Sequence, residues 1–185
     1  MTGLQSAGSR RIVAFVGEDG RSHLLPDETA PRLAEYAAPK GMRTSILWAT
    51  EPAARLRPGV MDPVPVLARI PPMPGGTLFE TLTLPPDSVY ADADFNAALA
   101  AAEMARHVPG MVELMEPEAP GFHRTETVDY VIVLSGEVWI VVDDGEARLR
   151  AGDTLVQLGS RHAWQNRSRK AAVLGVVLVG IHIEK

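Results

Sequence analysis

No cysteine occurs among the 185 residues, which excludes disulfide stapling, a thiolate metal site and a cysteine nucleophile. Lysine and arginine form no cluster, and with a net charge of -5 the chain offers no electrostatic footprint for nucleic acid. The most apolar run, residues 171–183, is too short to span a bilayer and is rich in valine, as a buried strand would be. The amino-terminal MTGLQSAGSRR lacks the apolar stretch of a secretory signal. A glycine-rich phosphate loop and a G-x-S-x-G nucleophile elbow are absent as well. The expectation is a soluble, cytoplasmic protein that meets neither nucleic acid nor a membrane.

What is present divides into two textures. Residues 1–110 hold most of the prolines, with short β-like runs at 11–16, 44–49 and 77–84. This part is expected to be an N-terminal extension of strands and a Pro-rich arm, packed on the C-terminal part or on a partner subunit. One helix is expected at about residues 92–107, alanine-rich, with acidic residues in its first turn and Arg106 and His107 at its end. Pro109 and Gly110 stop it, and Phe95, Leu99 and Met104 would give it an apolar stripe. From Met111 the chain reads as strand after strand, with turns at Gly136, Asp143-Asp144-Gly145 and Ala151-Gly152-Asp153. In the middle turn, glycine is expected to supply the positive φ that hairpins use. Short strands at this interval predict an all-β sandwich or barrel over residues 111–185.

Side chains alternate across a strand, so positions two apart share a face. In His123-Arg-Thr125-Glu126-Thr-Val-Asp129, extended backbone points His123, Thr125 and Asp129 one way and Arg124 and Glu126 the other. His162, Trp164 and Asn166 likewise share a face. A barrel receiving both sets inside would gather two imidazoles and a carboxylate, the facial-triad donor set of divalent iron and similar metals.

These segments resemble the cupin superfamily, whose first motif runs Gly-x5-His-x-His-x3-4-Glu-x6-Gly and whose second runs Gly-x5-Pro-x-Gly-x2-His-x3-Asn. Here the first appears as His123-x-Thr125-x3-Asp129-x6-Gly136, and the second keeps Gly152, Gly159, His162 and Asn166. Thr125 stands where the second histidine belongs, and Asp129 replaces the glutamate with a side chain one methylene shorter. Pro117 takes the place of the leading glycine, and the second motif lacks its proline. The resemblance covers roughly residues 111–183. It implies a double-stranded β-helix, or jelly-roll, barrel with N-terminal strands and one short helix.

For function the resemblance implies a metal-dependent enzyme of dioxygenase, decarboxylase, isomerase or lyase type, acting on a small organic substrate. His123, Asp129 and His162 would hold Fe, Zn, Mn or Ni, with Glu126 as general base. Thr125, Trp164 and Asn166 would line the substrate pocket, and Asn166 read by itself would fix a loop through backbone bonds. The alternative is a non-catalytic cupin that binds a small molecule without metal, the missing ligand at Thr125 marking the change. Under either reading a homodimer is expected, because the N-terminal strands need a sheet to join.

Overall fold

A computed structural model describes residues 9–25 and 28–184; the first eight residues of the expected N-terminal extension lie outside the described residues. The strands are β1 (Arg10–Arg11), β2 (Ala14–Val16), β3 (Ser22–Leu24), β4 (Glu28–Thr29), β5 (Arg32–Glu35), β6 (Arg43–Thr50) and β7 (Thr77–Leu84). After one helix, α1 (Ala97–His107), follow β8 (Thr127–Ser135), β9 (Glu137–Val142), β10 (Gly145–Arg150), β11 (Thr154–Leu158), β12 (Ala163–Gln165) and β13 (Ala172–Gly180). The fold is all-β with one short helix, a double-stranded β-helix. Among the described residues no helix is long and apolar enough to cross a membrane.

One sheet has six strands in the order β11-β8-β13-β7-β6-β5, and a second has three in the order β10-β9-β12. Consecutive strands β8 and β9 are not neighbours: β8 pairs with β11 and β13, β9 with β10 and β12. The chain changes sheets at Gly136, whose φ is +77°. A Cβ there would lie 2.8 Å from the Cα of Ala172, so both the conformation and the approach of β13 require glycine.

Between the sheets the apolar core gathers Ile46, Leu78, Val131, Val133, Val138, Leu174 and Val176, contributed by β6, β7, β8, β9 and β13. Strand β7, from before residue 110, is hydrogen-bonded along its length to β13, from Ala172 opposite Leu84 to Val179 opposite Thr77. The same β13 pairs on its other side with β8. The proline-rich half therefore supplies part of the wall of the barrel.

Three local expectations are corrected. The helix starts at Ala97, later than expected, because Asn96 caps it by accepting the Leu99 N–H at 2.9 Å. Asp92 meanwhile folds the preceding segment into a turn by accepting the Asp94 N–H. The stripe differs too: Met104 packs on the core, but Leu99 is exposed. Glu103 is buried instead, its carboxylate accepting the N–H groups of Ala37 and Ala38. The β9–β10 hairpin forms with Gly145 opposite Val142, yet Gly145 does not adopt positive φ. At the next turn Gly152 does, at +94°.

Candidate functional site inside the barrel

The inward row of β8 is Thr127, Asp129, Val131 and Val133, all buried, and Thr125 extends it just before the strand. On β11, Gln157 stands directly across from Asp129; on β13, Leu178 does so from the other side. Strand β7 turns Leu78, Glu80, Leu82 and Leu84 to one face, with Glu80 opposite Val176 of β13. The six-stranded sheet thus carries a polar band of Gln157, Asp129 and Glu80 on an otherwise aliphatic face.

The imidazoles arrive from loops. His123 and His162 form an isolated antiparallel bridge in which each backbone N–H donates to the other's carbonyl at 3.0 Å. Their rings lie 4.2 Å apart, centroid to centroid. Arg161 fixes this arrangement from outside: its guanidinium donates to both carboxylate oxygens of Glu116 at 2.7 and 2.6 Å and to Asp143 at 2.7 Å. It also stacks 4.0 Å from the Phe122 ring centre. The segment leading to His123 is thereby pinned beside His162.

Burial decides the protonation of the group. It pushes the His162 imidazole down to about 4, helped by the neighbouring His123 and opposed by the Ser160 carbonyl. Burial lowers His123 as well, against the Gly121 carbonyl and Glu116. It raises Asp129, with Thr127 opposing. Glu80 is pushed up to about 7, first by burial and then by the charge of Asp129. At neutral pH the interior therefore holds two uncharged imidazoles and a carboxyl poised between its two forms.

Nδ1 of His162 lies 3.0 Å from the Ser160 carbonyl and 2.8 Å from the Gln157 amide nitrogen, and Nε2 lies 3.3 Å from the same amide. The same amide donates to Oδ2 of Asp129 at 3.4 Å. Oδ1 of Asp129 is buried without a hydrogen-bond partner.

The structure brings His123 and His162 together and keeps Asp129 apart from them, with the Gln157 amide between. Cupins often bind divalent metals. Among the described residues, however, no three histidine, aspartate or glutamate side chains come close enough to hold a metal ion. The His162 lone pair faces an N–H donor, and Thr125 supplies no imidazole. The residues present do not fit a resident metal centre of the expected kind.

The other expected site residues fall in different places. Thr125 is buried and accepts the Thr127 hydroxyl at 2.7 Å. Trp164 packs against the core and meets His162 edge-on, with ring centres 6.3 Å apart. Glu126 is exposed on the outer face, as strand alternation dictates, so it cannot serve the interior as a general base. Asn166 is 1% exposed but fully engaged. Its amide donates to the carbonyls of Leu84 and Lys170, and its Oδ1 accepts from the Ser168 N–H and hydroxyl. It ties a loop together, and no hydrogen bond is left for a substrate.

Glu80 and Gln157 carry the site and were missed in the sequence motifs. Each had a signal. Leu78, Glu80, Leu82 and Leu84 put one acid among leucines on a single face, and Gln157 shares the inward face of Leu155.

A family model for the cupin domain matches residues 110–179. Phomopsin biosynthesis cluster protein D of Diaporthe leptostromiformis is 54% identical over 50 residues, which cover 26% of this chain and 26% of that one. Cupin-domain-containing oxidoreductase virC of Hypocrea virens is 47% identical over 45 residues, or 24% of this chain and 23% of the relative. The matched segment spans about a quarter of the length of these relatives. Among solved structures, the Cnp3 cupin domain of Schizosaccharomyces pombe aligns with 8% identity and a TM-score of 0.46, covering 93% of this chain and 88% of that one.

Proposed function

We propose that the chain, whose residues 110–179 match a family model for the cupin domain, is a cytoplasmic enzyme that moves protons on a small organic molecule held in the barrel interior. The observation that carries this reading is the placement of Glu80 among leucines on the same inward face as Asp129, where burial pushes its carboxyl up to about 7. An acid–base group works best with its pKa near the operating pH, and interior carboxyls whose environments push them upward mark such chemistry. Uncharged His123 and His162 add a second acceptor for the proton. Isomerisation and lyase reactions, which begin by removing a proton from carbon next to a carbonyl, suit this set. The partial relatives named as oxidoreductases support an enzyme rather than a passive binder.

A divalent metal, Fe, Zn, Mn or Ni, is not part of this reading, since Gln157 stands between Asp129 and His162. The protein further acts as a homodimer in this proposal. The outer face of the six-stranded sheet carries Val156, Tyr130, Val177 and Phe79 in one cross-strand row, with Tyr130 52% and Val156 57% exposed. A second copy of that self-complementary row would cover it.

The test needs no known substrate. The protein is incubated in deuterated water with a panel of small 1,3-dicarbonyls, hydroxyaldehydes and α-keto acids, and deuterium uptake into carbon is followed by mass spectrometry. Exchange at least tenfold above the Glu80→Gln variant on any member supports proton transfer. Exchange that is equal in the two proteins overturns it.

A further inference from the structure

Among the described residues the two barrel sheets end in four edge strands, β11 and β5 on the larger and β10 and β12 on the smaller. An edge strand presents a row of backbone N–H and C=O groups to any passing chain, and proteins blunt it with charge, proline or cover. Three of these edges are blunted. Strand β5 carries Arg32 and Glu35, and β10 carries Glu146, Arg148 and Arg150. The edge of β12 is taken up at His162 by the bridge to His123. Strand β11, which reads TLVQL, holds neither a charge nor a proline.

The open backbone groups follow from the ladder. The Asp153 carbonyl accepts the Val133 N–H at 3.0 Å and so points toward β8. Lateral direction alternates along a strand, so Leu155 and Gln157 also bond toward β8. Thr154, Val156 and Leu158 therefore aim their N–H and C=O groups at the open side. There a recess of about 370 Å3 separates β11 from β10, lined by residues 155–158 of one strand and 145–147 of the other. Consecutive residues alternate between faces, so the walls are the strand edges rather than one row of side chains. Its lining is mixed, with Glu146, Gln157 and Ser160 among aliphatic groups.

We propose that β11 is a docking edge for an extended peptide of another protein, which adds as an antiparallel strand paired with Thr154, Val156 and Leu158. Directly opposed residues share a face, so peptide residues paired with these three lie on the outer face. There Val156 and Leu158 are 57% and 71% exposed, and apolar β-branched side chains would cover them. The intervening residues turn to the mixed recess, which threonine suits with its methyl and hydroxyl groups. Charge sets the direction. Asp143 lies 2.7 Å from Arg161, which places the acidic β9–β10 turn beside the C-terminal end of β11. Arg161 pairs with Asp143 and Arg167 with Glu146, while Asp144 has no cation among the described residues. An antiparallel peptide brings its N-terminal end to that turn, so a lysine preceding the apolar run meets Asp144. The chain's net charge of -5 favours the same cation. This docking goes beyond the proton chemistry of the interior and does not depend on it.

The probe is Lys-Val-Thr-Val-Thr-Val with a C-terminal fluorophore, titrated into the full chain by fluorescence anisotropy. A second peptide is N-methylated at its three valines, which keeps every side chain and removes the donors aimed at β11. We expect the first to bind at least about tenfold tighter than the second. The reversed sequence, with lysine last, should bind more weakly than the first. Val156→Pro removes one open N–H at an edge position where proline is tolerated, and should weaken binding at least about tenfold with unchanged circular dichroism. Tyr130→Asp, on the outer face of the neighbouring strand, should still bind. Equal affinity for the parent and N-methylated peptides in the wild type, or no binding of the parent, overturns the proposal. So does a wild-type mass of two chains that falls to one in Val156→Pro but not in Tyr130→Asp, since the edge then belongs to a second copy.

Discussion

Gln157 stands opposite Asp129 across the β11–β8 pair and places one amide nitrogen 3.4 Å from its carboxylate and 2.8 Å from the His162 ring. A donor therefore occupies the position that a metal would need, midway between a carboxylate and an imidazole. Replacing that donor by a ligand should change what the barrel binds. Gln157→His supplies a third donor beside His162 and Asp129. Elemental analysis after loading with Zn, Ni, Mn or Fe should find near-stoichiometric metal in the variant and far less in the wild type. Stoichiometric metal in the wild type would mean that Gln157 swings away, and the expectation fails.

Two buried groups push the pH dependence of stability in opposite directions. Glu80 rises from 4.5 to about 7, so its contribution is full below 4.5 and is lost as pH climbs through 7. His162 falls from 6.5 to about 4, so its contribution is full above 6.5 and is lost as pH drops through 4. Each is worth up to about 3 kcal/mol, and their slopes have opposite sign over the shared window. Urea denaturation between pH 4 and 7 should show Glu80→Gln gaining stability with pH and His162→Asn losing it. Parallel curves for both variants and the wild type would refute the two shifts.

Asn166→Ala should destabilise the chain by roughly 2–3 kcal/mol, since the Leu84 carbonyl loses the Asn166 amide and the Lys170 carbonyl keeps only the Ser168 hydroxyl. In a chain of this size that is a fall of about 5–10 °C in melting temperature. A variant that melts at the wild-type temperature would return Asn166 to the pocket.

Tyr130→Asp places a charge in the middle of the outer row Val156–Tyr130–Val177–Phe79. Light scattering should give the mass of two chains for the wild type and of one for the variant, with unchanged circular dichroism. A wild-type mass of one chain at high concentration removes the proposed dimer.

The fold was legible in the sequence because its determinants are local. Alternation in residues 127–135 and the left-handed glycines 136 and 152 mark strands and corners without knowledge of the partners. The paired imidazoles were legible for the same reason, each lying in a recognisable motif. Glu80 and Gln157 were not, since their importance depends on which strands become neighbours: Glu80 matters only once β7 is docked beside β13. Asn166 was open to two readings, a pocket residue and a loop anchor. Its place in a motif suggested a pocket, whereas its bonds run to Leu84, Ser168 and Lys170 and hold a loop.

The carboxyl poised at about 7 comes from β7, whereas the stretch matched by the cupin family begins at residue 110. The family-matched stretch and the proposed acid thus lie on different parts of this chain. Grafting residues 110–179 into another protein would carry over His123, His162, Asp129 and Gln157 but leave the acid behind. It would also strip β13 of one of its two neighbours. A protein that shared only this stretch would keep the imidazole pair and differ in whatever its own preceding strand placed opposite Val176.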